Sequence, residues 1–121
     1  MRQLNIDTGV EEFCVNGRGV LRFNPADPNL YHRFFDAGRE LEALDKELDR
    51  RAAKLPDGPE GAEAGLALLA DYDGRIKALL GGVFGPENDF DAALGGVNLA
   101  GVAANGKRVV QNLLEALAPI L

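Results

Sequence analysis

The residues able to do chemistry in this 121-residue chain are few. His32 is the only histidine, and Asp36 stands one helical turn beyond it. A general base needs an orienting carboxylate at about that distance. The same spacing also makes an ordinary i,i+4 pair on a helix surface, which accounts for it without catalysis. Cys14 is the only cysteine. It falls in a predicted strand between Phe13 and Val15, on the opposite face from both, with no histidine near it in sequence. One His and one Cys cannot make any of the usual zinc ligand sets within a single chain.

Glu87, Asp89 and Asp91 form an acidic cluster. They lack the central Gly and distal Glu of a calcium-binding EF-hand loop. Carboxylates so placed suit the start of a helix, where they complement its dipole. Gly81-Gly82-Val83-Phe84-Gly85 has a phosphate cradle's glycines but no Gly-Lys-Ser/Thr ending, and it follows a predicted helix, where carbonyls and not amides are exposed. No catalytic residue, cofactor or metal is expected, and the chain reads as a non-enzyme.

The remaining signal is apolar and lies in the helices. Asp27 and Pro28 make a helix start, the one by capping free amides and the other by its preset φ. Leu30, Phe34, Ala37, Leu41, Leu44, Leu48 and Leu55 then recur at steps of three and four. The spacing predicts a helix over 28–54, about 40 Å long at 1.5 Å per residue. Pro56 to Gly61 breaks the chain. A second helix follows with Ala62, Leu66, Leu69, Tyr72, Ile76, Leu79, Leu80 and Val83 on one side, antiparallel to the first because the loop is short. Gly85-Pro86 stops it. Residues 87–98 suit one or two helical turns closed by Gly95-Gly96. A last helix is expected over about 98–118, weakened by Gly101 and Gly106 at about 1 kcal/mol each.

Upstream, residues 3–24 alternate as strands: Leu4 and Ile6, Phe13 and Val15, Leu21 and Phe23. Asn16-Gly17-Arg18-Gly19 supplies a hairpin turn, and Asp7-Thr8-Gly9 a weaker one. The expected fold is α+β and mostly α. A short N-terminal antiparallel hairpin or three-stranded sheet packs on a bundle of about three helices. It forms one domain over 1–121, β-rich over 1–24 and helical over 28–118.

Net charge is −6 and the pI is near 4.7. The densest basic groups, Arg50-Arg51-Lys54 and Lys107-Arg108, are small, and the first lies among Asp45, Glu47 and Asp49. That balance disfavours nucleic acid and anionic membranes. A single cysteine fits a reducing compartment. There is no signal-peptide pattern and no run of ~20 apolar residues, so a cytoplasmic location is expected.

The first helix's stripe is close to a heptad, the pattern helices use against each other. Its length exceeds what a small domain needs to cover its core. Phe34, Leu41, Leu44 and Leu48, with Leu113 and Leu117 near the C-terminus, are therefore the candidate contacts for a partner. Ile120-Leu121 is a further candidate for an end that projects.

Two segments carry a family resemblance. Val15 to Phe34 runs a strand into Phe23-Asn24-Pro25-Ala26-Asp27-Pro28-Asn29 ahead of the long helix. Val83-Phe84-Gly85-Pro86 through Leu94-Gly95-Gly96 precedes an apolar C-terminal helix. In this layout the chain resembles the small tail assembly chaperones of siphovirus-like phages and prophages. Those proteins have Phe-Gly-x-Gly, a short amphipathic piece and a Phe-Gly-Gly turn, from which Pro86 and Leu94-Gly95-Gly96 depart. Residues 45–75 match in helical character only. The resemblance implies a non-enzymatic protein of the bacterial host cytoplasm that coats the helical tape measure protein, helps recruit tail tube subunits and self-associates. It specifies no catalytic residue. A structural tail or head-tail component of the virion or prophage is the alternative.

Overall fold

Glycine and asparagine make the hairpin. In the computed structural model, which describes residues 1–121, β1 (Glu11–Val15) pairs antiparallel with β2 (Gly19–Phe23). Asn16 and Gly17 between them take positive φ, 52° and 73°, the backbone a tight hairpin turn requires. Arg18 N–H closes the turn on the Val15 carbonyl at 3.1 Å. The sheet has these two strands and no third. Residues 1–10 lie outside any element, with Leu4 and Ile6 exposed. The alternation there has no paired edge to register against: Gly9 turns with φ 78°, and Asp7 Oδ1 accepts its amide.

α1 (Pro28–Ala53) and α2 (Pro59–Phe84) have 26 residues each and pack together. Asp27 Oδ1 accepts from Asn29 N–H at 2.9 Å, with Pro28 in the first turn, the predicted start. Leu30, Ala37, Leu41 and Leu48 are buried from α1. On α2 the buried face is Leu68, Tyr72, Ile76, Leu80 and Val83. The expected α2 stripe is displaced in its first turns, where Leu66 is exposed and Leu68 goes inward. Gly61 sets that entry: a Cβ there would fall 1.6 Å from the Pro56 carbonyl oxygen, so the helix starts pressed against its own loop.

α3 (Phe90–Ala93) is a single turn capped by Asp89, whose Oδ1 accepts from Asp91 and Ala92 N–H. Gly95 and Gly96, at φ 67° and 76°, end it. The hairpin is welded to this region in two ways. Phe13 stacks on Phe23 at 4.5 Å between centroids, Phe23 meets Phe84 edge to face at 4.9 Å, and Phe84 meets Phe90 at a tilt at 5.5 Å. Asn88, buried, accepts from Arg22 N–H (2.7 Å) and donates to the carbonyls of Arg22 (2.9 Å) and Phe84 (2.8 Å), pairing with β2 as a strand would. Gly19 rests on α3 so closely that a Cβ would meet the Ala93 oxygen at 1.9 Å.

The last helix is shorter than its periodicity suggests. α4 covers only Val109–Leu117; residues 98–108 form turns that bury Leu99 and Ala100 and leave Val102 exposed. Asn98 Oδ1 accepts from Ala100 and Gly101 N–H, Asn105 Oδ1 from Lys107 N–H, and Gly106 takes φ 83°. These side-chain caps offer the backbone local partners, and with two glycines in the segment the helix loses that competition. Of the two residues expected to project, Leu121 packs on the core and its carbonyl accepts from the Tyr31 hydroxyl, while Ile120 is exposed. No helix is long and apolar enough to cross a membrane.

Candidate functional site

A seam lies open between α1 and α4. α1 runs about 39 Å and α4 about 14 Å, and α4 lies antiparallel beside α1 with Arg108 at Asp45 and Asp49 and Ala118 at the Phe34 end. Arg108 fastens its start. The side chain is 15% exposed and donates to Asp45 (2.5 Å) and Asp49 (2.6 Å) on α1 and to the Ala100 carbonyl (2.7 Å). Charge-assisted contacts that bridge two carboxylates one helical turn apart hold geometry well.

Between α1 and α4 lie two apolar depressions of about 190 and 280 Å³. Leu44, Leu48, Tyr72, Ile76 and Val110 line the first, and Phe34, Ala37, Leu80, Val83 and Ala118 the second. Gly38, Leu41 and Leu114 line both, so the two make one groove. Each exceeds the engineered apolar cavity of about 150 Å³ that admits a benzene ring, and so has room for a large side chain. A wider depression of about 400 Å³ between Arg51, Leu55, Leu68 and Asp71 is shallower, at the far end of the helix pair.

The candidate contacts divide here. Phe34 and Leu44 are half-buried walls of the groove, and Leu41 and Leu48 are its buried floor. Leu113 and Leu117 are in the core and do not line it; Leu114 and Ala118 of the same helix do. Gly38 carries no signal in the apolar periodicity, yet it shapes the site. An added Cβ would have no atom within 4 Å, so the missing side chain is what keeps the groove deep at its middle. A glycine inside a well-formed amphipathic helix, costing about 1 kcal/mol against Ala, is the clue available in the sequence.

Tyr72 anchors the floor. It is fully buried, with Arg75 and Arg51 over its ring at 4.8 and 5.6 Å. Its hydroxyl accepts from Arg51 Nη1 at 3.3 Å. A hydrogen bond with the same hydroxyl holds the Glu47 carboxyl below its ordinary range, with Arg75, Arg51 and Arg50 adding to the effect. Arg51 is raised, again chiefly by Tyr72.

The other candidate chemistry is dispersed. His32 and Asp36 lie 3.8 Å apart, both exposed. Cys14 is exposed. Asp91 pairs with Lys77, which also meets Asp73 at 2.9 Å, while Asp73 Oδ1 accepts from Leu99 N–H. Burial would lower the Lys77 pKa, but the hydrogen bonds it donates to Asp91 and Asp73 outweigh it and raise the amine above its ordinary value. No group of three His, Cys, Asp or Glu side chains is set to hold a metal ion. The fold and groove define a small α+β domain, mostly α, with an apolar groove between α1 and α4. No protein family, curated protein or solved structure matches the chain.

Proposed function

We propose that this chain is a non-enzymatic tail assembly chaperone of a phage or prophage that holds an amphipathic helix of the tape measure protein in the α1–α4 groove. The observation that carries the reading is the open, apolar groove along the long first helix, bounded by Phe34, Leu41, Leu44 and Leu48. A groove of this kind takes the apolar face of a helix at i, i+3, i+4 and i+7 anchors. The net charge of −6 keeps such a complex soluble. The strand into Phe23-Asn24-Pro25-Ala26-Asp27-Pro28-Asn29 and the Phe84-Gly85 end of α2 add the family resemblance, from which tail tube subunits follow as a second partner.

The test is co-expression with helical fragments of a tape measure protein. The chaperone reading expects a fragment that is soluble and co-purifies with the wild type but not with Gly38→Leu. No association, with the fragment equally insoluble, would refute it. Detection of the chain in purified particles would favour a structural tail component.

A further inference from the structure

The hairpin has one closed edge and one open one. Arg22 gives both its backbone groups to Asn88, so they point out of the sheet on the side away from β1. In an antiparallel pair, residues directly opposite each other either bond together or both point outward. Glu12 stands opposite Arg22, and Cys14 opposite Val20. Each therefore directs one N–H and one C=O out of the other edge, where no backbone group of the chain meets them. On the inner face of β1, Phe13 and Val15 are covered by the core only in part. Glu12, on the outer face, leans to Arg22 at 3.6 Å and so away from the open edge. An unpaired edge of this kind is a template for another strand.

The same chain carries an unpaired strand pattern. Residues 1–10 lie outside any element, and Leu4 and Ile6 alternate with Gln3, Asn5 and Asp7. Both apolar side chains are exposed, at 87% and 75%. This arm is led away from its own β1 edge. Asn24, which follows β2, donates to the Thr8 carbonyl at 2.8 Å, and its side chain lies against Gly9.

We infer that the arm of a second copy, about residues 3–7, adds to the open edge of β1, in a reciprocal exchange about a two-fold axis. Main-chain bonds to Glu12 and Cys14 hold the added strand. Leu4 and Ile6 fall on the inner face and complete the cover of Phe13 and Val15. Gln3 and Asn5 fall on the outer face with Cys14. An exchange of this symmetry closes on itself. It supplies between chains the third strand that the alternation of Leu4 and Ile6 predicts.

Sedimentation of the full chain between about 5 and 500 µM is expected to show a monomer–dimer equilibrium. Leu4→Asp/Ile6→Asp is expected to weaken it by about tenfold or more, since it would bury charge. That variant should melt like the wild type at the lowest concentration, because neither side chain belongs to the core. Cys14 gives a second readout. Mild oxidation of Gln3→Cys or Asn5→Cys should link two chains through Cys14, and adding Cys14→Ser should abolish the link. A wild type that stays monomeric throughout the range overturns the inference. So does equal dimerisation of Leu4→Asp/Ile6→Asp, no disulfide from either cysteine variant, or one closed within a single chain. A dimer lost in Gly38→Leu but kept in Leu4→Asp/Ile6→Asp assigns the contact to the groove and also overturns it, without touching the reading of the groove itself.

Discussion

Gly38 offers the cleanest separation of groove from core. It sits in the middle of α1, ten residues from the helix start, with open space where a side chain would be. A glycine there costs about 0.8–1 kcal/mol relative to alanine, through backbone entropy. Gly38→Ala removes that cost and adds no clash, so stability rises by about that amount, a gain of about 3–6 °C in Tm for a domain this size. Gly38→Leu keeps the propensity gain and buries part of an apolar side chain between Leu41 and Leu114, adding about 1 kcal/mol. Both variants are thus expected to melt at or above the wild type by calorimetry. Their effects on binding diverge. Alanine leaves most of the groove open, whereas leucine occupies the point where the two depressions meet and weakens an amphipathic helical ligand by tenfold or more. Stability and binding then move in opposite directions in one variant, which loss of folding cannot imitate. Unchanged affinity in Gly38→Leu would refute the groove as the binding surface. A fall in Tm in Gly38→Ala would refute the geometry on which the estimate stands.

Asn88→Ala removes both partners of the Arg22 backbone and is expected to cost about 2–3 kcal/mol, read from urea unfolding. Gly19→Ala drives a methyl into the Ala93 carbonyl and should cost more than Gly17→Ala, which meets no atom and carries only the positive-φ cost of about 1 kcal/mol; equal losses would show that the hairpin does not rest on α3. Lys77 has a folded pKa raised above its ordinary 10.5, so its stabilising contribution is complete below that value and is lost as pH rises through the folded pKa. The stability gap between wild type and Lys77→Met is therefore expected to narrow above about pH 10.5 in urea midpoints; a gap constant to pH 12 would refute the assignment.

Elements whose local and tertiary preferences agree were legible in the sequence. α1 is bounded by Asp27-Pro28 and the Pro56 breaker, and its periodicity matches its buried face. The hairpin turn is fixed by two residues that tolerate positive φ. The misread parts are those where pattern and backbone chemistry compete. Residues 98–108 keep a helical spacing of apolar residues, but Asn98 and Asn105 cap turns within it. Leu4 and Ile6 alternate as a strand does, yet β1 extends only from Glu11, and nothing pairs with the segment before it. Asn88 was invisible for a different reason: its role depends on β2, 66 residues away, and no local signal marks a side chain that substitutes for a strand.

The groove shows why an apolar stripe alone cannot distinguish core from interface. Leu41, Leu44 and Leu48 belong to one face of one helix, and the sequence treats them alike. What divides them is what stands opposite. α4 runs antiparallel beside this same stretch of α1, from Arg108 at Asp45 and Asp49 to Leu121 at Tyr31. Extending α4 backward through 98–108 would carry it past Asp49 and leave the groove as it is. The opening comes from small side chains along the contact. Gly38 adds no atoms where the two depressions meet, and Ala118 adds few at the Phe34 end. Leu113 and Leu117 turn into the core, so Leu114 alone of the leucines of α4 faces the gap. A pattern that counts only apolar residues passes over the glycine that decides which part of the stripe is interface and which is core.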